Sequence, residues 1–238
     1  MKLHQTIFLS AVIIFISGCS SAQLSQTLGG ILNENPLSTE EVARGLKAAL
    51  EKGTAQGADL ASQTDGYFKN PKIKIPLPPE MQKVETNLRR IGLGDEVDKF
   101  VLNLNRAAEQ AADDAKPIFM NAIRSLTIED AWNILKGDKH AATEYLRRTT
   151  FDQLKSAFKP IVANTLDQVN ATRYYNDIAR AYNKVPGVTK INEDLEDYAT
   201  TKAIDGLFVL IAEEEENIRA NPAARTTELL KKVFAQAN

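Results

Sequence analysis

Few side chains in this chain are equipped to do chemistry. Its 238 residues include one cysteine, Cys19, and two histidines, His4 and His140. A Ser-His-Asp triad, a Cys-His dyad or a multi-histidine metal site draws on imidazole, and the body of the chain offers only His140. That residue follows Asp138, a good helix cap, so its expected place is the solvated first turn of a helix. Carboxylates are the remaining acid–base reservoir. Asp113-Asp114 and Glu129-Asp130 would divide into an acid and a base if packing brought them together, but adjacent acids on helices more often face solvent or a helix N-terminus. Glu213 to Glu216 sweep around most of a helix, which predicts a largely exposed helix end, with Arg219 spaced to offset Glu215 or Glu216. No calcium-loop spacing and no glycine-rich phosphate cradle occurs. The sequence therefore nominates no catalytic, metal-binding or cofactor-binding residue. The best candidate interaction surface is Tyr67 and Phe68 with Lys72 and Lys74, aromatic and basic groups on a proline-stiffened strand able to pair with a partner's edge. Closing the core is the competing role for both aromatics.

Charge and composition narrow the partners. Lys and Arg total 29 against 31 Asp and Glu, a net charge of −2. Such a balance gives no basic excess to attract nucleic acid. A single cysteine forbids any disulfide within the chain, so the fold rests on its core alone.

The N-terminus sets the expected compartment. Ile7 to Ile16 is apolar for about ten residues, half of the roughly 20 that a spanning helix needs. A positive flank at Lys2 and the small exit Ser17-Gly18 fit the core of an export signal. Ile16-Ser17-Gly18-Cys19 resembles the lipobox of bacterial lipoproteins. The resemblance implies cleavage before Cys19, two or three acyl chains on that residue, and attachment to a membrane facing the periplasm. Ser20 after the cysteine favours the outer over the inner membrane. Residues 1–18 are thus expected to be a signal peptide and 19–37 a tether rich in Ser, Gln, Asn and Gly. As coil, the tether would reach about 20–25 Å.

From residue 38 to 238 the pattern is one multi-helix domain, mainly α. Ser38-Thr39-Glu40-Glu41 and Thr127-Ile128-Glu129-Asp130 read as capping boxes. Val42, Leu46, Ala49 and Leu50 share one helical face, and Gly53 and Gly57 are expected to weaken that helix towards its end. Further helices are predicted from Pro79 to Ile91, from near Asp95, after the Asp138 cap, from Thr150, over Thr172–Val185, over Asp194–Ala220 and after Pro222. One segment departs from helix. Between residues 66 and 78 three prolines and the alternation of Ile73, Ile75 and Leu77 with Lys72, Lys74 and Pro76 predict a short extended, β-like segment. An isolated strand leaves backbone groups unpaired. Its expected partner is Val188–Ile191 in a two-stranded ribbon, or a second chain. Lys116-Pro117-Ile118 and Lys159-Pro160-Ile161 echo each other 43 positions apart. The preferred reading is two prolines that start or kink helices rather than a structural repeat.

Several strings together resemble one family. They are the extended segment Asp65–Pro79, Asn105-Arg106-Ala107-Ala108-Glu109, Ala141–Arg148, Lys202–Phe208, and Ile211–Glu215 with Ile218-Arg219. They are similar to exported bacterial proteins catalogued as a domain of unknown function, number forty-one ninety-seven, over about Leu37 to Phe234. The resemblance implies a single, mainly helical exported domain and carries no activity, cofactor or catalytic residue. Two functions are expected from the whole reading. The first is a non-enzymatic, lipid-anchored envelope module that binds or scaffolds a protein partner or an apolar ligand. The alternative is a periplasmic hydrolase using paired carboxylates. An apolar cavity would favour the first, and a cleft lined by acids the second.

Overall fold

A computed structural model describes residues 38–184, 186–187, 190, 194–221, 224 and 231–233. The described residues hold eight α-helices: α1 (Thr39–Ser62), α2 (Gln82–Arg90), α3 (Gly94–Ala112), α4 (Ala115–Arg124), α5 (Ile128–Lys136), α6 (Ala141–Gln168), α7 (Ala171–Asn183) and α8 (Leu195–Ala220). Both capping boxes form. Ser38 Oγ accepts from Glu41 N at 3.2 Å while Ser38 N donates to Glu41 Oε2 at 2.9 Å. Thr127 and Asp130 make the same reciprocal pair at 3.0 Å each way. Cys19, Val188, Thr189, Ile191 and Pro222 lie outside the described residues.

α8 is the centre of the core and packs against α1, α3, α6 and α7. Its residues Ala203, Ile204, Leu207, Phe208 and Ile211 are buried. The Phe208 ring meets Phe119 of α4 edge-on at 5.7 Å and carries the Arg147 guanidinium 4.6 Å from its centroid. Gly53 and Gly57 do not fray α1, which continues to Ser62. They mark where α8 crosses it: a Cβ on Gly57 would lie 3.3 Å from Ile211 Cγ1 and 3.5 Å from its backbone nitrogen. Small residues at that spacing let two helix backbones approach closely.

A new helix does not start at Thr150. α6 runs unbroken from Ala141 to Gln168, with Pro160 inside it. An interior proline costs a helix roughly 3 kcal/mol. Leu154, Phe158, Val162 and Leu166, all fully buried on one face of α6, each return about 1.5–3 kcal/mol. Pro117, by contrast, lies in the first turn of the short α4. The two halves of the 43-residue echo therefore occupy unlike settings.

Residues 65–77 form a strap across the core. Ile73, Ile75 and Leu77 are buried and Lys72, Lys74 and Pro76 exposed, the expected alternation. No strand pairs with it among the described residues; side chains of α3 and α8 take that place. Asn105 Oδ1 accepts from Ile75 N at 2.8 Å and Asn105 Nδ2 donates to Ile75 O at 2.9 Å, the pair of bonds a neighbouring strand would make. One helical turn on, Glu109 Oε1 accepts from Tyr67 N and Phe68 N, both at 3.1 Å. Tyr198 hydroxyl donates to Pro76 O at 3.0 Å. Backbone groups taken from water are thus satisfied without a sheet.

A second buried carboxylate joins three helices. Glu215 of α8 accepts from the backbone of Ala142 and Thr143 at the start of α6, at 3.0 and 2.8 Å, and from Thr143 Oγ1 at 2.8 Å. Arg219 donates to Glu215 at 2.9 Å and to the last carbonyls of α5, Ile134 O at 2.7 Å and Leu135 O at 3.3 Å. An anion thus meets a helix N-terminus and a cation a helix C-terminus, each with the favourable sign. The acidic run is therefore not uniformly exposed: Glu213 and Glu216 are, and they pair with Lys72 and Lys139, whereas Glu215 is buried. A Glu215 position one residue before Glu216 in sequence gave no local sign of this, because its partners lie 72 and 73 residues away.

Candidate functional site: an apolar cleft beside helix α2

Of the residues singled out as an interaction surface, the fold withdraws Tyr67 and leaves Lys72 and Lys74 exposed. Tyr67 is fully buried, and its hydroxyl donates to Ala203 O at 2.6 Å. Burial, reinforced by the negative charges of Glu109 and Asp205, pushes its phenol well above the usual range. Phe68 is half-buried beneath Lys74, whose ammonium lies 4.3 Å from the ring centroid. Lys72 is exposed and paired with Glu213. Tyr67 therefore belongs to the core. Glycine at 206 makes this possible, since a Cβ would fall 2.6 Å from Tyr67 Cε1.

The acidic pairs are not assembled into a site either. Asp113 and Asp114 are exposed at the α3–α4 junction. Asp130 is occupied by its capping box, and its bonds to the Thr127 hydroxyl and backbone hold its carboxyl below the usual range. That shift opposes a role as a proton donor near neutral pH. His140 precedes α6, and its Nδ1 is buried without a hydrogen-bond partner among the described residues. No group of three or more potential metal ligands occurs among the described residues.

What the fold does build is an apolar cleft of about 720 Å³. Val84 and Leu88 of α2 line one side, Val97 and Phe100 of α3 the second, and Tyr174, Tyr175 and Ile178 of α7 the third. Leu77 at the end of the strap and Met81 contribute to the lining between them, and Glu85, Glu96, Lys99 and Asn103 supply its polar groups. Local sequence explains how α2 comes to lie here. Pro76, Pro78 and Pro79 keep the chain extended up to a single 3₁₀ turn, Pro79–Met81, and Gly92 at φ +87° reverses it into α3. α2 packs against that turn and α3, and none of its residues is buried. Its apolar face is amphipathic by pattern yet only half covered.

Tyr175 is a buried part of the lining, and Tyr198 lies outside it. Burial, with the charge of Glu80 behind it, pushes both Tyr175 and Tyr198 up to about 12. Both phenols therefore stay protonated and neutral at physiological pH. The carboxylates in the lining, Glu85 and Glu96, are paired with Arg89 and Lys99. Sequence reasoning did not find this site. Val84, Leu88, Val97 and Phe100 carry the periodicity of ordinary core residues, and no local signal separates a covered apolar face from a half-covered one.

One comparison with known proteins found a match. A family model described as a protein of unknown function, DUF4197, matches residues 36–235. No curated protein and no solved structure matches the chain. The chain belongs to that family. The strings that carried the resemblance contain the polar clamps of the core: Asn105 and Glu109 on the strap, Arg147 paired with Asp205, Gly206 under Tyr67, and Glu215 with Arg219.

Proposed function

We propose that this member of the DUF4197 family is a non-enzymatic binding module of the cell envelope that holds an elongated apolar molecule, of the acyl-chain class, between α2, α3 and α7. The observation that carries the proposal is the cleft itself: its 720 Å³ falls within the roughly 300–1,000 Å³ usual for small-molecule sites, which are mostly apolar with a few placed polar groups. Aliphatic and aromatic walls take the chain by the hydrophobic effect. Asn103 and the Lys99–Glu96 pair in the lining are the groups that would meet a polar head group. The expected acyl anchor on Cys19 would hold the module at a membrane, the outer membrane by the sorting rule above, and would bring it to such ligands. The hydrolase alternative finds no support in the placement of Asp113, Asp114 and Asp130.

Titration of the full chain with a fluorescent long-chain fatty acid tests the binding. Saturable one-to-one binding is expected, weakened at least tenfold, or about 1.4 kcal/mol, by Phe100→Asp with circular dichroism unchanged. Folded protein that shows no saturable binding would sink the proposal. Intact-mass measurement of the envelope fraction tests the anchor separately, through the acyl mass on Cys19.

A further inference from the structure

The lining of the cleft is graded from a dry floor to a wet mouth. Leu77, Met81, Val97 and Tyr175 are buried, whereas Leu93, Val169 and Tyr174 remain 43 %, 42 % and 62 % exposed. An acyl chain gains most by entering tail first, with its hydrocarbon on the floor and its head group left at the exposed rim. The charges at that rim then decide which head group the cleft accepts.

Three lining residues carry charge: Glu85 of α2, and Glu96 and Lys99 of α3. Two acids thus stand against one cation. Lys99 Nζ donates to Glu96 Oε1 at 2.9 Å, and both side chains are 66 % exposed. Glu85 is answered from outside the lining by Arg89, which Asp98 holds in turn at 2.6 Å. The surroundings do not tip this balance towards an anion. Glu80 is near enough to help raise the Tyr175 phenol, and Asp95 directly precedes Glu96. From Glu80 to Lys99 the chain holds five acids and four cations. Two of those cations, Lys83 and Arg90, line a separate polar hollow on α2 with Gln82, Thr86 and Asn87. On α7, Arg173, Asp177 and Arg180 are exposed and do not line the cleft.

A carboxylate placed at the rim would be the third negative group beside a single cation. Lys99 could answer it only by releasing Glu96, and a charge left unpaired on partly dry surface is costly. An ammonium group gains little, because both acids already have partners. A neutral head group leaves both ion pairs intact and meets Asn103, whose amide supplies two N–H donors and a carbonyl acceptor. From this inventory we infer that the cleft selects an acyl chain with an uncharged, hydroxyl-bearing head group, of the monoacylglycerol class, over a free fatty acid or a long-chain amine. The inference rests on the ligand reading above and narrows it. Glu96 and Lys99 are then its specificity-determining residues, the first disfavouring anions and the second cations.

Isothermal titration calorimetry of the full chain near neutral pH tests this with monolauroylglycerol, laurate and dodecylamine, which share one acyl length and differ in head-group charge. Each is kept below its micellar concentration. Monolauroylglycerol should bind several-fold more tightly than either charged probe. Glu96→Gln frees Lys99 and removes one acid, so it should raise laurate affinity several-fold and narrow the gap. Lys99→Gln leaves Glu96 unanswered and should shift preference the other way, towards dodecylamine; circular dichroism checks that both variants fold. Laurate or dodecylamine binding to the parent chain as tightly as monolauroylglycerol overturns the inference, as does a Glu96→Gln chain with the parent's preference. Folded protein that binds none of the three overturns the ligand reading itself, so the two failures are separable.

Discussion

The strap and helix α2 are consecutive in the chain yet are built on opposite principles. The strap, residues 65–77, has no regular secondary structure, but its backbone is pinned by Asn105, Glu109 and Tyr198, and Tyr67, Ile73 and Ile75 are buried beneath it. α2 has a full set of helical bonds and no buried residue. Regular backbone is thus no guide to which part is fixed. Rigidity follows side-chain burial and long-range polar bonds, and the region lacking both is the one that leaves an apolar surface open.

Removing a clamp should show the contrast most strongly. Glu109→Ala leaves one buried and one partly buried N–H group and the Arg106 guanidinium short of a partner. A loss of about 3 kcal/mol is expected in urea unfolding, in line with the cost of breaking a buried polar cluster. A loss below about 1 kcal/mol would mean the strap is not held by that carboxylate. Gly206→Ala follows, at about 2 kcal/mol, because its Cβ would stand 2.6 Å from the Tyr67 ring and 3.1 Å from Ile73 Cβ; overpacking typically costs 1–3 kcal/mol. Differential scanning calorimetry would register it as a lowered Tm.

On the other side of the comparison, Leu88→Ala should cost only about 0.5–1 kcal/mol, since the side chain is half-buried at the cleft and leaves no closed cavity. It should nonetheless weaken fatty-acid binding several-fold. Amide exchange should follow the same division, with α2 exchanging well before α3 and α8. Equal protection in α2 and α8 would erase the distinction.

The smallest effect is in acid. Bonds to Lys69 and then to Arg106 hold the Asp65 carboxyl below its usual range. A carboxyl depressed in the folded state adds stability above the ordinary value of about 4 and loses it as pH falls through the folded value. Asp65→Asn should therefore lower stability slightly near neutrality and converge with the parent at strongly acid pH, as read from Tm against pH.

Much of the fold was legible wherever a signal is local. The capping boxes at Ser38 and Thr127 and the alternation from Lys72 to Leu77 depend on neighbours a few residues apart, and each appears as expected. Gly53 and Gly57 misled, because the reason for them is a helix about 150 residues further on. Thr150 misled because its buried hydroxyl donates to Leu146 O inside α6 instead of opening a new helix. Tyr67 as an interaction residue failed likewise: its site is completed by Ala203 and Gly206, which no local pattern points to. The cleft was illegible for a complementary reason, being an absence of cover rather than a motif.

The bond from Tyr67 to Ala203 spans 136 positions, and this sets the timetable of the molecule. During synthesis at about 5–20 residues per second, the early helices wait on the order of ten seconds for the segment that completes their core. Contacts of such long range are intrinsically late to form. A nascent chain that ends before Leu195 carries α1, α3 and α6 with their inner faces still wet, so commitment to the native state waits for the residues from Leu195 onward.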